Sequence, residues 1–389
     1  MKQTIHKYLF FVQLFTTFHT VIYTSPIASI YDLMKEDTEI QFYKCHESIP
    51  FNYSELPVAH YSEYHPYQGT FDQTGVFIIK NGTSYSNFGY IHSNNYLIKE
   101  FLPTNYLPTY HQDIISHQIN LDNITPKKIP GRVATLTRID YDCYGHWIGE
   151  FLGRLHLMTI HNITYDWLYV PYDKPYIKET LTLLGIDHNK IIQPFGEYAH
   201  IEAEELIIPS LTARMLPTDQ YVFHPCVMYC PLWNINWLRT TFLPIAHNNK
   251  SQQNFSKKVF ISRHDATQRK MLNEELVFSY FEKKGFKRYN LSQLSFIEQV
   301  QLFHQAEYII AAHGSALTNI IFCQPNTCII EIFQNQYDST FWQLSESLNL
   351  NHHCIETQEP THDSIKSNTI VSLKKIKIYL KQHNLLQNT

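Results

Sequence analysis

Residues 307–322 read "EYIIAAHGSALTNIIF", and the way this run breaks decides the fold. "EYIIAA" is a short, continuously apolar stretch of the kind buried in parallel sheets. His313-Gly314-Ser315 interrupts it, and a second apolar stretch follows at once as a helix beginning near Ser315. A glycine at such a junction lets the backbone turn sharply and lets another group come close. The start of the helix leaves N–H groups without partners and carries a partial positive charge, which suits an anion such as phosphate. The same spelling also serves a plain strand-to-helix turn, so the neighbouring segments have to decide.

Outward from this junction, residues 257–389 alternate short strands and helices. "KVFISR", "FKRYNL", "TCIIEIF" and "NHHCIE" read as strands, and "NEELVFSYFEKKG", "STFWQLSESLNL" and "TIVSLKKIKIYLKQHNLL" as helices. Gly285 follows the first of these helices, and Ser295 with Glu298 has capping-box spacing at the head of "SFIEQVQLFHQA". That alternation predicts a Rossmann-like domain with a parallel sheet. Residues 141–210 alternate in the same way. Trp147, Phe151, Leu155 and Met158 fall at helical spacing, followed by "WLYVP", "PYIKETLTLLG", "KIIQP" and "EELIIPS". Residues 61–140 read as strands broken by Asn-Gly, Ser-Asn and Asn-Asn turns, giving a β-rich part of the domain that spans 61–250. The polar stretch within 211–256 reads as a linker. The expected fold class is α/β, two Rossmann-like domains facing a cleft with a β-rich N-terminal segment.

Composition narrows the functions. The 389 residues carry only 17% charged side chains and a net charge of −4, so no basic field points to nucleic acid. Seven cysteines, an odd number, lie mostly far apart and fit free thiols in a reducing compartment better than a disulfide framework. His224, Cys226 and Cys230 come nearest to a metal spacing, but no second pair completes a four-ligand site. "KYLFFVQLFTTFHTVIY" at residues 7–23 is apolar yet interrupted, and it reads either as a signal-anchor or as a buried or interfacial helix within the segment 1–60. Asn-x-Ser/Thr sequons, for example at Asn52, Asn81 and Asn162, do not fix the compartment in a chain so rich in these residues. A cytoplasmic or membrane-associated place is the expectation.

In open α/β sheets ligands bind at the carboxyl ends of the strands. Arg263 ends the first strand of the second domain, Arg269 lies in the loop before Asn273, His313-Gly314-Ser315 ends a later strand, and Glu331 sits in an apolar strand. Guanidinium forks and free helix N–H groups suit a diphosphate, and a carboxylate can accept the two hydroxyls of a ribose. An arginine at a strand end is more often a solvated surface group. A glutamate in an apolar strand is costly unless partnered.

The stretch 258–333 resembles glycosyltransferase family 61. It has an arginine segment before an Asn-Glu helix start, Gly-Phe, Gln-x-x-x-Phe, His-Gly-x-x-Leu-Thr-Asn, a proline and Ile-Glu-Ile, in that order. "YDCYGHWIGEFLGRLHLM" is similar to the family's Tyr-x-His-Trp-x-x-Glu/Asp helix. The resemblance implies a GT-B-like pair of domains and inverting transfer from a nucleotide-sugar donor, commonly a UDP-sugar, to a glycan, lipid-linked glycan or glycoprotein acceptor. It also gives the donor side Arg263, Arg269, Asn273, His313, Gly314, Ser315, Thr318, Asn319 and Glu331. Thr318 and Asn319 would serve equally well as loop braces.

Inversion needs a base for the acceptor hydroxyl. Glu150 is favoured, with His146 one helical turn away and Arg154 continuing the row. Asp140-Tyr141-Asp142 spells the D-x-D of metal-dependent transferases, but the arginines already supply phosphate ligands, so no essential metal is expected. A sugar-nucleotide epimerase and a non-catalytic sugar-nucleotide-binding protein are the competing readings. A peripheral contact with the membrane is compatible with each.

Overall fold

The structure, a computed structural model, describes residues 26–58, 67–87, 89–102, 125–138, 140–213, 230–249, 254–334, 338–357 and 367–386. The apolar segment 7–23, the His224 and Cys226 positions and most of the polar stretch after residue 213 lie outside the described residues. Among the described residues no helix is long and apolar enough to cross a membrane.

Residues 258–356 form a five-stranded sheet in which every pairing is parallel. In chain order its strands are Lys258–Ile261, Lys287–Tyr289, Tyr308–Ala312, Cys328–Phe333 and Asn351–Glu356. Their spatial order is second, first, third, fourth, fifth. This is a doubly wound order whose direction reverses between the first and third strands, and that crevice is where ligands settle in such sheets. The helices between the strands fall where the sequence predicts them. Phe296–Gln305 opens with a complete Ser295–Glu298 capping box, and Gly285 takes φ +84° after Glu274–Glu282.

The first half is less regular than the sequence implies. Its ten-stranded sheet has a parallel part, Lys127–Thr135, Trp167–Tyr169, Ile191–Ile192 and His200–Pro209. On its other side Thr74–Lys80 and Thr83–Tyr85 run antiparallel to His200–Pro209. The Rossmann-like unit expected over 141–210 is therefore the parallel edge of a mixed sheet. Further along the same side, Asn94 and Asn95, both at positive φ, close a two-residue hairpin between Tyr90–Ser93 and Tyr96–Ile98, and strands joined so tightly cannot be parallel. Residues expected to form a separate N-terminal segment also join this sheet, Ile27–Ala28 beside Tyr96–Ile98 and Ile40–His46 beside Thr74–Lys80.

Two further corrections concern the join between the halves. The stretch read as a linker contains the helix Leu232–Asn248, which buries Ile235, Leu238, Phe242 and Ala246. One hydrophobic core then runs through both halves, from Val76, Trp147 and Ile177 through Phe242 to Val259, Phe296 and Leu317. The sheets share that core on one face, and each closes a core of its own on the other, around Phe77, Ile201 and Leu206 in the first half and Val277, Phe281 and Ile376 in the second.

The helix Tyr144–Ile160 lies at the centre of this core. Its middle, Trp147–Phe151, is wound as a π-helix between two α-helical pieces. The cause is an inserted side chain: Asn234 Nδ2 donates to the Gly149 carbonyl at 2.7 Å. A Cβ at Gly153 would collide with that same amide. Insertions of this kind widen the helix, and they recur at functional sites.

Candidate active site

Arg263 leaves the first strand of the parallel sheet at the reversal point. Glu274 fixes it there, accepting the Arg263 backbone N–H at 2.8 Å and the Ser262 hydroxyl. The Arg263 guanidinium then turns back on its own loop, donating from Nε to the Arg269 carbonyl at 3.0 Å and from Nη2 to that of Gln268 at 3.2 Å. Its Nη1 lies against Gly314, where an added Cβ would collide with it. Gly314 itself stands at φ +152°, a conformation that side chains disfavour. Burial lowers the Arg263 pKa to about 10, with Arg269 pushing the same way, so it remains charged at neutral pH. Two guanidinium groups held so close together favour an anion between them.

A cavity of about 500 Å³ opens beside Arg263. Its walls include Ser262, Arg263, Asp265 and Ala316 from the second half, with Tyr144, Tyr176 and Glu179 from the first. Volume and mixed lining suit a small organic ligand with a few polar anchors. Glu179 also crosses the join, accepting the backbone N–H groups of Phe296 and Ile297 at 2.7 and 3.2 Å. It thereby caps a helix of the opposite half.

His313 is locked behind the loop. Its Nδ1 is 2.6 Å from Glu331 Oε1 and its Nε2 is 2.9 Å from Asp338 Oδ2. Burial opposes the imidazolium, but the two carboxylates outweigh it and raise His313 to about 9. Glu331 is fully buried, and its second oxygen takes His352 Nε2 at 3.0 Å. Its expected place on a ribose is thus corrected: both oxygens serve histidines, and Glu331 anchors His313 from behind. Asn273 also has a partner within the protein. Its amide donates to the Val371 carbonyl and accepts the Val371 N–H, tying down the chain before the last helix.

The segment after Gly314 is a 3₁₀ helix, Ser315–Phe322, in place of the α-helix the sequence implies. It meets the first half directly. Ser315 Oγ lies 3.3 Å from Cys143 Sγ, Asn319 Oδ1 accepts the Tyr144 hydroxyl at 2.6 Å, and Gly145 packs against Thr318. Asn319 also donates to Gln299 and is fully buried. Asn319 is thus a brace between the halves, and Thr318 belongs to the same packed seam.

Across that seam stand His146 and Glu150. His146 Nδ1 is 2.6 Å from Glu150 Oε2, and Arg138 Nη1 donates to the same oxygen at 2.8 Å. Burial disfavours both charges. Glu150 nevertheless raises His146 to about 9, while Arg138 and His146 hold Glu150 below the usual carboxylate range. Arg154, expected to continue the row, donates instead to the backbone carbonyls of Thr135, Thr137 and Pro209 and ties the helix to the strand ends. Arg138, Glu274 and Asp265 are contributors the sequence did not single out. Arg138 sits two residues before Asp140, beside the D-x-D that drew the eye. Asp142 is exposed, whereas Asp140 is partly buried near His146 and Arg138, burial raising its pKa.

Among the described residues the one group with a metal-ligand composition is Glu331, His352 and Cys354, whose donor atoms lie within 4.8 Å of one another. It is behind His313, away from the cavity walls, and its Glu331–His352 contact is already a hydrogen bond.

The family model described as Glycosyltransferase 61 matches residues 144–330. The match runs from Tyr144, in the cavity wall, to one residue short of Glu331. No curated protein matches the chain.

Proposed function

The chain belongs to glycosyltransferase family 61, and from that premise we propose that it transfers a sugar from a nucleotide-sugar donor, a UDP-sugar, to a hydroxyl of a glycan or glycoconjugate with inversion at the anomeric carbon. The observation that carries the donor side is the contact of Arg263 with Gly314 at the reversal point of the parallel sheet, beside the 500 Å³ cavity. The two-domain GT-B reading is kept in modified form, with the donor held by the second half and the acceptor by the first.

In the proposed step the acceptor O–H gives its proton to a base as its oxygen forms a bond to the anomeric carbon. The bond from that carbon to the phosphate oxygen breaks, and the nucleoside diphosphate leaves with the electron pair. Arg263, Arg269 and the first N–H groups after Gly314 receive the charge developing there, a role that preorganised donors fill without a divalent ion. On the acceptor side the proton acceptor belongs to the buried pair Glu150 and His146, and we assign it to His146. Its Nδ1 is engaged by Glu150, which fixes the ring and stabilises the imidazolium that forms.

The test is a thermal shift with UDP, GDP, CMP and their common sugars, with and without EDTA, on the native protein and Arg263→Ala. Stabilisation of the native protein by a nucleoside diphosphate in EDTA, absent in the variant, is the expected result. No stabilisation by any nucleotide overturns the reading.

A further inference from the structure

The three most exposed large apolar side chains among the described residues are Ile370 at 65%, Leu272 at 61% and Leu276 at 58%. They are not scattered. The Leu272 N–H donates to the Thr369 carbonyl at 2.7 Å, which sets Ile370 beside Leu272. Leu276 occupies the first turn of the helix that follows. Tyr280 lies one turn further along, and Lys377 Nζ stands 4.9 Å from the centre of its ring. That contact brings the last helix, Leu373–Gln382, against the same face.

This helix buries Ile376 and Leu380 and exposes Lys374, Lys377 and Lys381. Their spacing of three and four forms one row on the side where Lys377 meets Tyr280. Ile378, 46% exposed, lies among them. A protein of net charge −4 therefore gathers a row of lysines around its most exposed apolar side chains. Of the acids on the adjoining helix, Glu275 is turned to Arg288.

We propose that this face docks on an anionic lipid surface. The apolar side chains enter the boundary between headgroups and acyl chains, while the lysines extend their stems and keep their charges at the phosphates. The complementarity is of a kind that a lipid surface supplies over its whole extent, needing no groove. The position is also apt. The loop carrying Arg263 and Arg269 runs directly into Leu272, so docking here would hold the donor end of the sheet close to a membrane-borne acceptor. The docking itself does not depend on the transferase reading.

Vesicle flotation of the full chain tests it, using phosphatidylcholine with and without phosphatidylglycerol at low and high salt. Two variants accompany the native protein, Leu272→Ser with Leu276→Ser, and Lys374→Glu with Lys377→Glu and Lys381→Glu. Each is checked for a native circular dichroism spectrum and for nucleotide-induced stabilisation. The expected result is binding to the anionic vesicles only, weakened by salt, and lowered about tenfold or more in each variant. Three outcomes overturn the proposal: no binding by the native chain, equal binding by both variants, or a dimer in sedimentation that the leucine variant abolishes, which would make a second copy the occupant. A nucleotide response that survives in all three proteins keeps the fate of this proposal separate from that of the donor site.

Discussion

The guanidinium of Arg263 occupies the space where a side chain at position 314 would begin. Two loops from neighbouring strands of the parallel sheet are thus fitted to each other, and the fit requires the absence of a Cβ. Gly314→Ala should abolish nucleoside-diphosphate stabilisation while leaving a folded protein. The replacement adds a collision and about 1–3 kcal/mol of backbone strain. A thermal shift with and without nucleotide checks both parts, and a variant that binds nucleotide as well as the native protein would separate Gly314 from the donor.

Arg263→Lys is expected to fail nearly as badly as Arg263→Ala. The fork of Arg263 contacts two carbonyls and still presents Nη1, an arrangement an ammonium cannot copy. Loss of one charge-assisted contact is worth about 1.5–3 kcal/mol, or roughly ten- to hundredfold in donor affinity. Titration calorimetry reads the difference directly.

His146 sets a pH dependence with a definite sign. Its pKa is raised to about 9 by Glu150 against the opposing effect of burial, so the neutral ring that can accept a proton is the minor form at neutral pH. If His146 is the base, kcat/KM rises about tenfold per pH unit between about pH 6 and 8 and levels off near 9. Glu150→Gln removes the charge that raises the pKa, so the rise moves to lower pH while the plateau falls. A profile flat over the same range would shift the role to Glu150, held ionised by Arg138 and His146.

Glu331→Gln is a prediction about stability. The change leaves His313 with Asp338 as its one carboxylate and breaks a fully buried ion pair, for which about 3–5 kcal/mol is the usual loss. For His313 the folded-state pKa is about 9, above the ordinary 6.5. Its contribution to stability is therefore complete below the lower value and disappears as pH rises through the higher one. Glu331 is shifted downward, so its share is present above the ordinary carboxylate range and is lost in acid. Denaturant midpoints across pH, in the native protein and the variant, test both limbs.

The parallel sheet was legible because its three central strands, Lys258–Ile261, Tyr308–Ala312 and Cys328–Phe333, carry apolar runs ended by turns, and Ser295 with Glu298 marks a helix start without ambiguity. Arg263 and Gly314 could be paired in advance because both follow strands that a doubly wound order makes neighbours. Glu331 and Asn273 share one physical limit on such a reading: a polar residue in an apolar setting signals that it has a partner, and does not say whether the partner is a ligand or the protein. His313, His352 and Val371 proved to be those partners. Arg138 was invisible because its role depends on lying across from Glu150. The helix Leu232–Asn248 was obscured by the polar residues that follow it and by Pro244 within it.

That helix has a practical consequence. Phe242 meets Phe296 edge to face with ring centres 4.9 Å apart, and Glu179 caps the helix that Phe296 begins. A cut made between the two sheets would expose aromatic surface on both fragments and leave a helix end uncapped. The two halves therefore cannot be shuffled like cassettes among related chains. A working chimera would have to carry the residue 232–248 helix together with the face of the second half on which it rests.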